Sequence, residues 1–119
     1  MSYSGKNRGK LGEMIAAEYL QEKGFEILEK NYRFGKGEID IVCRDNGVLV
    51  FVEVKSRFNL NYGEPEYAFT KNKQQQVRKM GAAYLYDKGL SECECRFDAI
   101  AILFDEDKGY RLNHIENAF

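Results

Sequence analysis

Residues 37–55 read GEIDIVCRDNGVLVFVEVK and predict a β-hairpin that turns at Asn46-Gly47. An Asn-Gly pair between two alternating apolar runs is the strongest short-range hairpin signal, because both turn residues must accept a positive φ. With a two-residue turn, Asp45 lies opposite Val48, and the pairing continues outward from there. The stretch therefore predicts two antiparallel strands in a defined register.

That register gives the hairpin one apolar face and one charged face. The pairs on the apolar face, which should pack on a core, are Cys43–Val50, Ile41–Val52 and Ile39–Val54. On the other face, Asp40 lies opposite Glu53. Glu38 lies opposite Lys55. Two carboxylates directly across a strand pair repel each other, and a divalent cation with oxygen ligands is the simple way to offset that repulsion. A three-residue turn would shift the pairing by one and remove this opposition.

The composition is typical of one small globular domain. The chain has 119 residues, of which 44% are hydrophobic and 31% charged, so we expect residues 1–119 to form a single domain. No apolar run approaches the roughly 18 residues that a membrane helix needs. The N-terminus has no apolar segment, and the 3 cysteines do not make a disulfide framework. We therefore expect a reduced, cytoplasmic protein.

Hydrophobic periodicity and turn residues predict the order helix, three strands, helix, two strands. Before the hairpin we expect a helix at about residues 8–24 and a strand at 25–32. After it we expect a helix at 71–88 that Thr70 caps, and strands at 96–104 and 110–115. Within the second helix, Met80 and Tyr84 are expected in the core. This order indicates an α/β domain with a mixed sheet flanked by helices.

The charged end of the hairpin has the parts for phosphodiester hydrolysis. Two or three carboxylates and a backbone carbonyl would hold Mg²⁺, which lowers the pKa of a bound water and neutralises charge on a phosphate. Lys55 would orient the attacking water and stabilise the transition state. Glu13, on the first helix, either joins this site or is an exposed helical glutamate. The competing interpretation is an exposed Glu38–Lys55 ion pair beside an accidental Asp40–Glu53 pair.

The charge distribution bears on nucleic-acid binding. The net charge of −1 argues against an avid, nonspecific nucleic-acid binder. The basic excess nevertheless lies in residues 1–80, with the hairpin, and the acidic excess lies in residues 81–119. Lys71 and Lys73 begin the second helix, where free N–H groups suit a backbone phosphate. We predict these lysines and Arg57 as nucleic-acid contacts, and solvated surface is the alternative.

We also consider the cysteines, the histidine and Asp98 as parts of a reactive site. Cys93 and Cys95 would be half of a zinc site, but the chain has no second cysteine pair and a single histidine, His114. A hydrolase triad would need His114 as its base, and no motif supports one. Asp98, at the start of an apolar strand, could cap, pair with an arginine or join the acidic site.

These residues also carry a family resemblance. An acidic helix residue, an aspartate on one strand and Glu-x-Lys on the next match the PD-(D/E)XK signature of restriction-endonuclease-like nucleases, here Glu13, Asp40 and Glu53-Val54-Lys55. More closely, the chain resembles the bacterial YraN-like family. The segments that carry this resemblance are Gly12-Glu13, Asn31-Tyr32-Arg33, residues 37–40, residues 51–55, Arg96-Phe97-Asp98 and Asn117-Ala118-Phe119.

The resemblance implies a restriction-endonuclease-like αβββαβ core, similar to that of archaeal Holliday junction resolvases. It implies that Asp40, Glu53 and the Val54 carbonyl hold Mg²⁺ (or Mn²⁺), that Glu13 completes the acidic cluster and that Lys55 aids the water. The implied function is a nuclease for structured or branched DNA in repair or recombination, acting as a homodimer because twofold-related sites suit a branched substrate. The alternatives are a non-catalytic nucleic-acid-binding module and a protein-interaction subunit.

Overall fold

The predicted order of helices and strands is confirmed. A computed structural model describes residues 5–90, 92–105, 107 and 109–119. Its elements are helix α1 (Gly5–Glu22), strands β1 (Glu26–Phe34), β2 (Gly37–Asp45) and β3 (Val48–Arg57), a short 3₁₀ turn (Pro65–Ala68), helix α2 (Lys71–Lys88), and strands β4 (Cys95–Asp105) and β5 (Gly109–Ile115). As predicted, Thr70 caps α2, and its Oγ1 accepts the backbone N–H of Lys73 at 3.2 Å.

The strands form one five-stranded mixed sheet in the order β1-β2-β3-β4-β5. The β3–β4 pair is parallel, and the other three pairs are antiparallel. A parallel pair needs a long crossover connection, and here that connection contains α2. Alternate residues of β3 face different helices, since Val50 and Val52 pack in the core with α1 while Leu49 and Phe51 pack with α2. The mixed sheet flanked by helices is therefore as predicted.

The two-residue turn of the hairpin is confirmed. Asn46 has φ 50° and Gly47 has φ 86°, the left-handed pair that a tight hairpin turn requires. The register runs through Asp45–Val48, Cys43–Val50 and Ile41–Val52, as the sequence predicts.

Beyond Ile41–Val52 the predicted pairing was wrong. The β2–β3 ladder ends there, so the opposed pairs Asp40–Glu53 and Glu38–Lys55 do not belong to it. Ile39 packs in the core with α2, whereas Ile41 packs in the core with α1, so the alternation of faces breaks at Asp40. In place of a β2 carbonyl, the carboxylate of Asp40 accepts the N–H of Val54 at 2.8 Å. Irregularities of this kind change the direction of side chains, and this one ends the β2–β3 pairing beside Asp40.

The structure also places the other residues that the sequence singled out. Asp98 is fully buried and accepts hydrogen bonds from Arg96 Nε at 3.0 Å, His114 Nε2 at 2.8 Å and the N–H of Asn117 at 2.9 Å. Of the predicted roles for Asp98, the structure shows the arginine pair. Cys93 and Cys95 are free thiols. Met80 and Tyr84 pack in the core with α2, as predicted. No helix in the described ranges is both long enough and apolar enough to cross a membrane.

Candidate metal and active site

The position of Glu13 follows from the glycine before it. A Cβ at residue 12 would overlap Ser56 Oγ, so glycine lets α1 lie against β3 at this point. The next residue, Glu13, consequently reaches the place where β2 and β3 separate. The structure therefore puts Glu13 beside the other acidic residues of the predicted site.

Three carboxylates converge at this break. One oxygen each from Glu13, Glu38 and Asp40 lies within 4.8 Å of the other two. Asn31, on β1, has φ 54°, and its amide nitrogen, oriented to donate, lies 2.7 Å from Glu38 Oε1 and 3.1 Å from Glu13 Oε2. Arg33 Nη2 lies 3.4 Å from Glu38 Oε2. Glu38 was predicted opposite Lys55 and is instead a member of this acidic group, held by two residues of β1.

Glu53 approaches the group from the α2 side. Asp40 and Glu53 both line a cleft of about 500 Å³ whose other wall is formed by α2. Only 3% of Glu53 is exposed, and its Oε2 lies 3.3 Å from Lys73 Nζ. Its Oε1 is buried and has no hydrogen-bond partner among the residues that the structure describes. An unpartnered buried carboxylate oxygen is costly, and a cation would supply the missing partner.

Burial and crowding weaken the acidity of these groups. Burial first, and then the charge of Asp40, raises the pKa of Glu13 to about 7 and that of Glu53 to about 8. Burial likewise raises the pKa of Asp40, against the opposing effect of the Val54 hydrogen bond. The site therefore binds protons near neutral pH and would release them to a metal ion.

The basic residues of the prediction lie in three different settings. Lys73 pairs with Glu53, as described above. Lys55 and Arg57 line a second cavity of about 330 Å³ together with Glu13 and Val54. Lys71 is exposed at the first turn of α2.

Sequence reasoning named Asn31 only as part of the family resemblance, did not single out Tyr62, and placed Glu38 opposite Lys55 and not beside Glu13 and Asp40. Asn31 offers a signal in retrospect, because asparagine tolerates the left-handed backbone that this position of β1 adopts. Tyr62, which lines the second cavity, lies in a loop without periodicity, so no pattern in the sequence identified it.

The donor set fits a hard divalent cation. Every candidate ligand side chain is a carboxylate, and Mg²⁺ prefers oxygen ligands from one or a few carboxylates. The orphaned Oε1 of Glu53 points to the same conclusion. The Val54 carbonyl as a ligand stays a prediction.

We expect the metal-free protein to lose stability as the pH rises. Folding raises the pKa of Glu53 from 4.5 to about 8, so the associated stability is complete below about pH 4.5 and is lost as the pH passes 8. In EDTA, Tm should fall by at least about 5 °C between about pH 6 and about pH 9. Glu53→Gln, which keeps the shape without the charge, should flatten the profile in calorimetric scans. Parallel profiles for the two proteins would contradict this assignment.

Comparisons with known proteins identify the relatives of the chain. Residues 12–102 match the model of a family described as "Uncharacterised protein family UPF0102". The chain is 46% identical over 112 residues to a UPF0102 protein of Trichlorobacter lovleyi, covering 93% of this chain and 88% of that protein. It is 44% identical over 120 residues to a UPF0102 protein of Pelotomaculum thermopropionicum, covering 100% of both. A UPF0102 protein of Geobacter sulfurreducens is 44% identical over 118 residues, 99% of this chain and 92% of the relative.

Proposed function

Because the chain belongs to the uncharacterised protein family UPF0102, whose name states no activity, we propose its function from the site: a metal-dependent nuclease that hydrolyses phosphodiester bonds in DNA. The observation that carries the proposal is the convergence of Glu13, Glu38 and Asp40 where the β2–β3 ladder ends. Glu53 lines the cleft that Asp40 also lines, and Lys55 lies on the same strand as Glu53. Structured or branched DNA is the proposed substrate, and repair or recombination the proposed setting.

Asp40, Glu53, Glu13 and the Val54 carbonyl would hold Mg²⁺ (or Mn²⁺). The bound cation would neutralise charge on the phosphate and lower the pKa of a water molecule. The unpartnered Oε1 of Glu53 and the elevated pKa values of the carboxylates support this ligand set, because a cation would relieve both.

The side chains of the protein have separate tasks in this proposal. The Val54 N–H fixes the carboxylate of Asp40 in one orientation. Glu13 completes the acidic group beside Asp40, and the amide of Asn31 lies within hydrogen-bond distance of its carboxylate. Lys55 forms no ion pair with a carboxylate in the described part of the chain, so its ammonium group is free to orient the nucleophile and stabilise negative charge.

Lys73 links metal binding to the nucleic acid. Its ammonium lies 3.3 Å from Glu53 Oε2 and so balances the charge of this ligand when the carboxyl is ionised. If Glu53 held a cation, Lys73 would no longer be needed to balance it and, at the N-terminal end of α2, could contact a backbone phosphate. Lys73 would thus have its predicted role in nucleic-acid binding and, before that, an ion pair with Glu53.

A non-catalytic nucleic-acid-binding module is the second candidate. The Lys73–Glu53 pair is the observation that favours it, because an internal ammonium already balances one of the proposed ligands. In such a module, substitutions of Lys71 and Lys73 would weaken nucleic-acid binding and flatten its salt dependence, and metal would have no effect.

The direct test is cleavage of labelled single-stranded, duplex, flap and four-way-junction DNA with Mg²⁺, Mn²⁺ or EDTA, alongside calorimetry of metal binding. We expect cleavage that requires metal and is strongest on a branched substrate. If metal neither binds nor promotes cutting, the binding module becomes the better account.

Sedimentation with and without the junction tests the proposed homodimer, since twofold-related sites should bind one junction.

A further inference from the structure

A second cavity adjoins the acidic group. It has a volume of about 330 Å³, at the lower end of the range of about 300–1,000 Å³ for small-ligand sites. Glu13, Val54 and Lys55 line the side that it shares with the proposed catalytic site. Arg57 and Tyr62 line it further along the chain. A group bound here would therefore lie next to the phosphate that the catalytic residues contact.

Arg57 presents an unused hydrogen-bond donor in this cavity. Its Nε is buried and, within the described ranges, has no hydrogen-bond partner. A buried donor without a partner is energetically unfavourable, so a ligand that accepts this hydrogen bond binds more tightly. A guanidinium is planar and carries several donors, which suits the acceptor edges of nucleobases as well as phosphate oxygens.

Tyr62 adds a flat aromatic surface beside that donor. Its side chain is 81% exposed, and its ring centroid lies 5.9 Å from the guanidinium carbon of Arg57. Gly63, with φ 87°, directs the loop sharply after this residue, and a Cβ there would lie 2.8 Å from the ring of Tyr67. Aromatic rings of this kind bind single-stranded nucleic acid by stacking on its bases, with contributions from arginine.

We propose that this cavity binds an unpaired nucleobase, stacked on Tyr62 and hydrogen-bonded by Arg57, next to the scissile phosphate. The inference rests on the proposed nuclease function and names its substrate class: nucleic acid with at least one single-stranded nucleotide at the cutting point. A base inside a continuous duplex is stacked and paired, so it cannot enter the cavity without being extruded at an energetic cost.

The test is binding without cleavage. Fluorescence anisotropy in EDTA would compare a short labelled single strand, the matched duplex and an abasic strand, which has the backbone but no bases. Tyr62→Ala should weaken single-strand binding by about 5- to 150-fold, the loss of one stacked base, and change duplex and abasic-strand binding less than about 2-fold. Tyr62→Phe should retain the affinity. Tyr86→Ala is the matched control, because Tyr86 is 83% exposed on α2 and lines neither cavity.

The outcomes separate the two proposals. Unchanged single-strand affinity in Tyr62→Ala, or equal affinity of wild type for normal and abasic strands, overturns the base site even if the protein cuts DNA. A selective loss in Tyr62→Ala supports the base site even if no substrate is cut, because the EDTA measurement does not depend on metal or catalysis.

Discussion

Asp40→Asn should lower metal-dependent cleavage by at least about 10³-fold without lowering thermal stability. Asparagine has nearly the same shape, and its side-chain oxygen can still accept the N–H of Val54, which is 2.8 Å from Asp40 Oδ2. The substitution also removes a charge that raises the pKa values of Glu13 and Glu53, so the metal-free variant should be at least as stable as the wild type at about pH 8. Loss of activity with equal or higher Tm is the expected combination.

Single-turnover cleavage, metal calorimetry and thermal scans on the same preparations measure the activity, metal affinity and Tm of Asp40→Asn.

Lys55→Ala should also abolish cleavage while leaving metal binding within about 2-fold, because the lysine acts on the nucleophile and not on the cation. Asp107→Asn and Lys30→Ala are the matched controls, since both residues are exposed and lie outside the acidic group. Full activity in Asp40→Asn, or inactivity that follows a lower Tm, would contradict the assigned role.

Asp98→Ala should cost about 3–5 kcal/mol of unfolding free energy, the largest stability effect that we expect from one side chain. The fully buried carboxylate of Asp98 accepts from Nε and Nη2 of Arg96, from His114 and from the Asn117 N–H, and its removal leaves these four donors without their acceptor. Tm should fall by roughly 10 °C or more.

Denaturant titration of Asp98→Ala measures the loss, with Asp107→Ala as an exposed control expected within about 0.5 kcal/mol of wild type. Although burial raises the pKa of Asp98, the hydrogen bonds from His114 and Arg96 outweigh it and hold that pKa below its usual value. The stability it contributes is therefore present above about pH 4 and is lost as the pH falls below that. Below its Tm, Asp98→Ala should keep DNA cleavage; a specific loss of activity there would place Asp98 in the site after all.

The parts of the fold with a strong local signal were predictable from sequence. Asn46-Gly47 fixed the turn and the first pairs of the hairpin, and Thr70 marked the start of α2 at the residue where the structure has it. The face of Ile39 was not predictable in this way. A two-residue alternation assumes a regular ladder, whereas the break at Asp40 accompanies a left-handed residue, Asn31, on the neighbouring strand.

The sequence named candidate residues for the site but could not give their geometry. Glu13, Asp40, Glu53 and Lys55 follow from the spacing of one motif, and the structure brings them to one end of the β2–β3 pair. The Lys73–Glu53 contact joins a helix to a strand twenty residues earlier, and its existence depends on how α2 docks on the sheet. Helical periodicity gives the face of a helix but not the strand residue that the face meets.

The parallel pairing of β3 with β4 has a consequence for the order of folding. Strands β1, β2 and β3 are neighbours in sequence and can form a three-stranded meander from local contacts, which close quickly. The second edge of β3 is satisfied only after residues 58–94 have crossed over and delivered β4. During that interval the strand that carries Glu53 and Lys55 has an unpaired edge, which is the part of a folding intermediate most prone to association with other chains. Glu13, Asp40 and Glu53, which are charged before burial raises their pKa values, would repel such partners and so protect the nascent chain from aggregation.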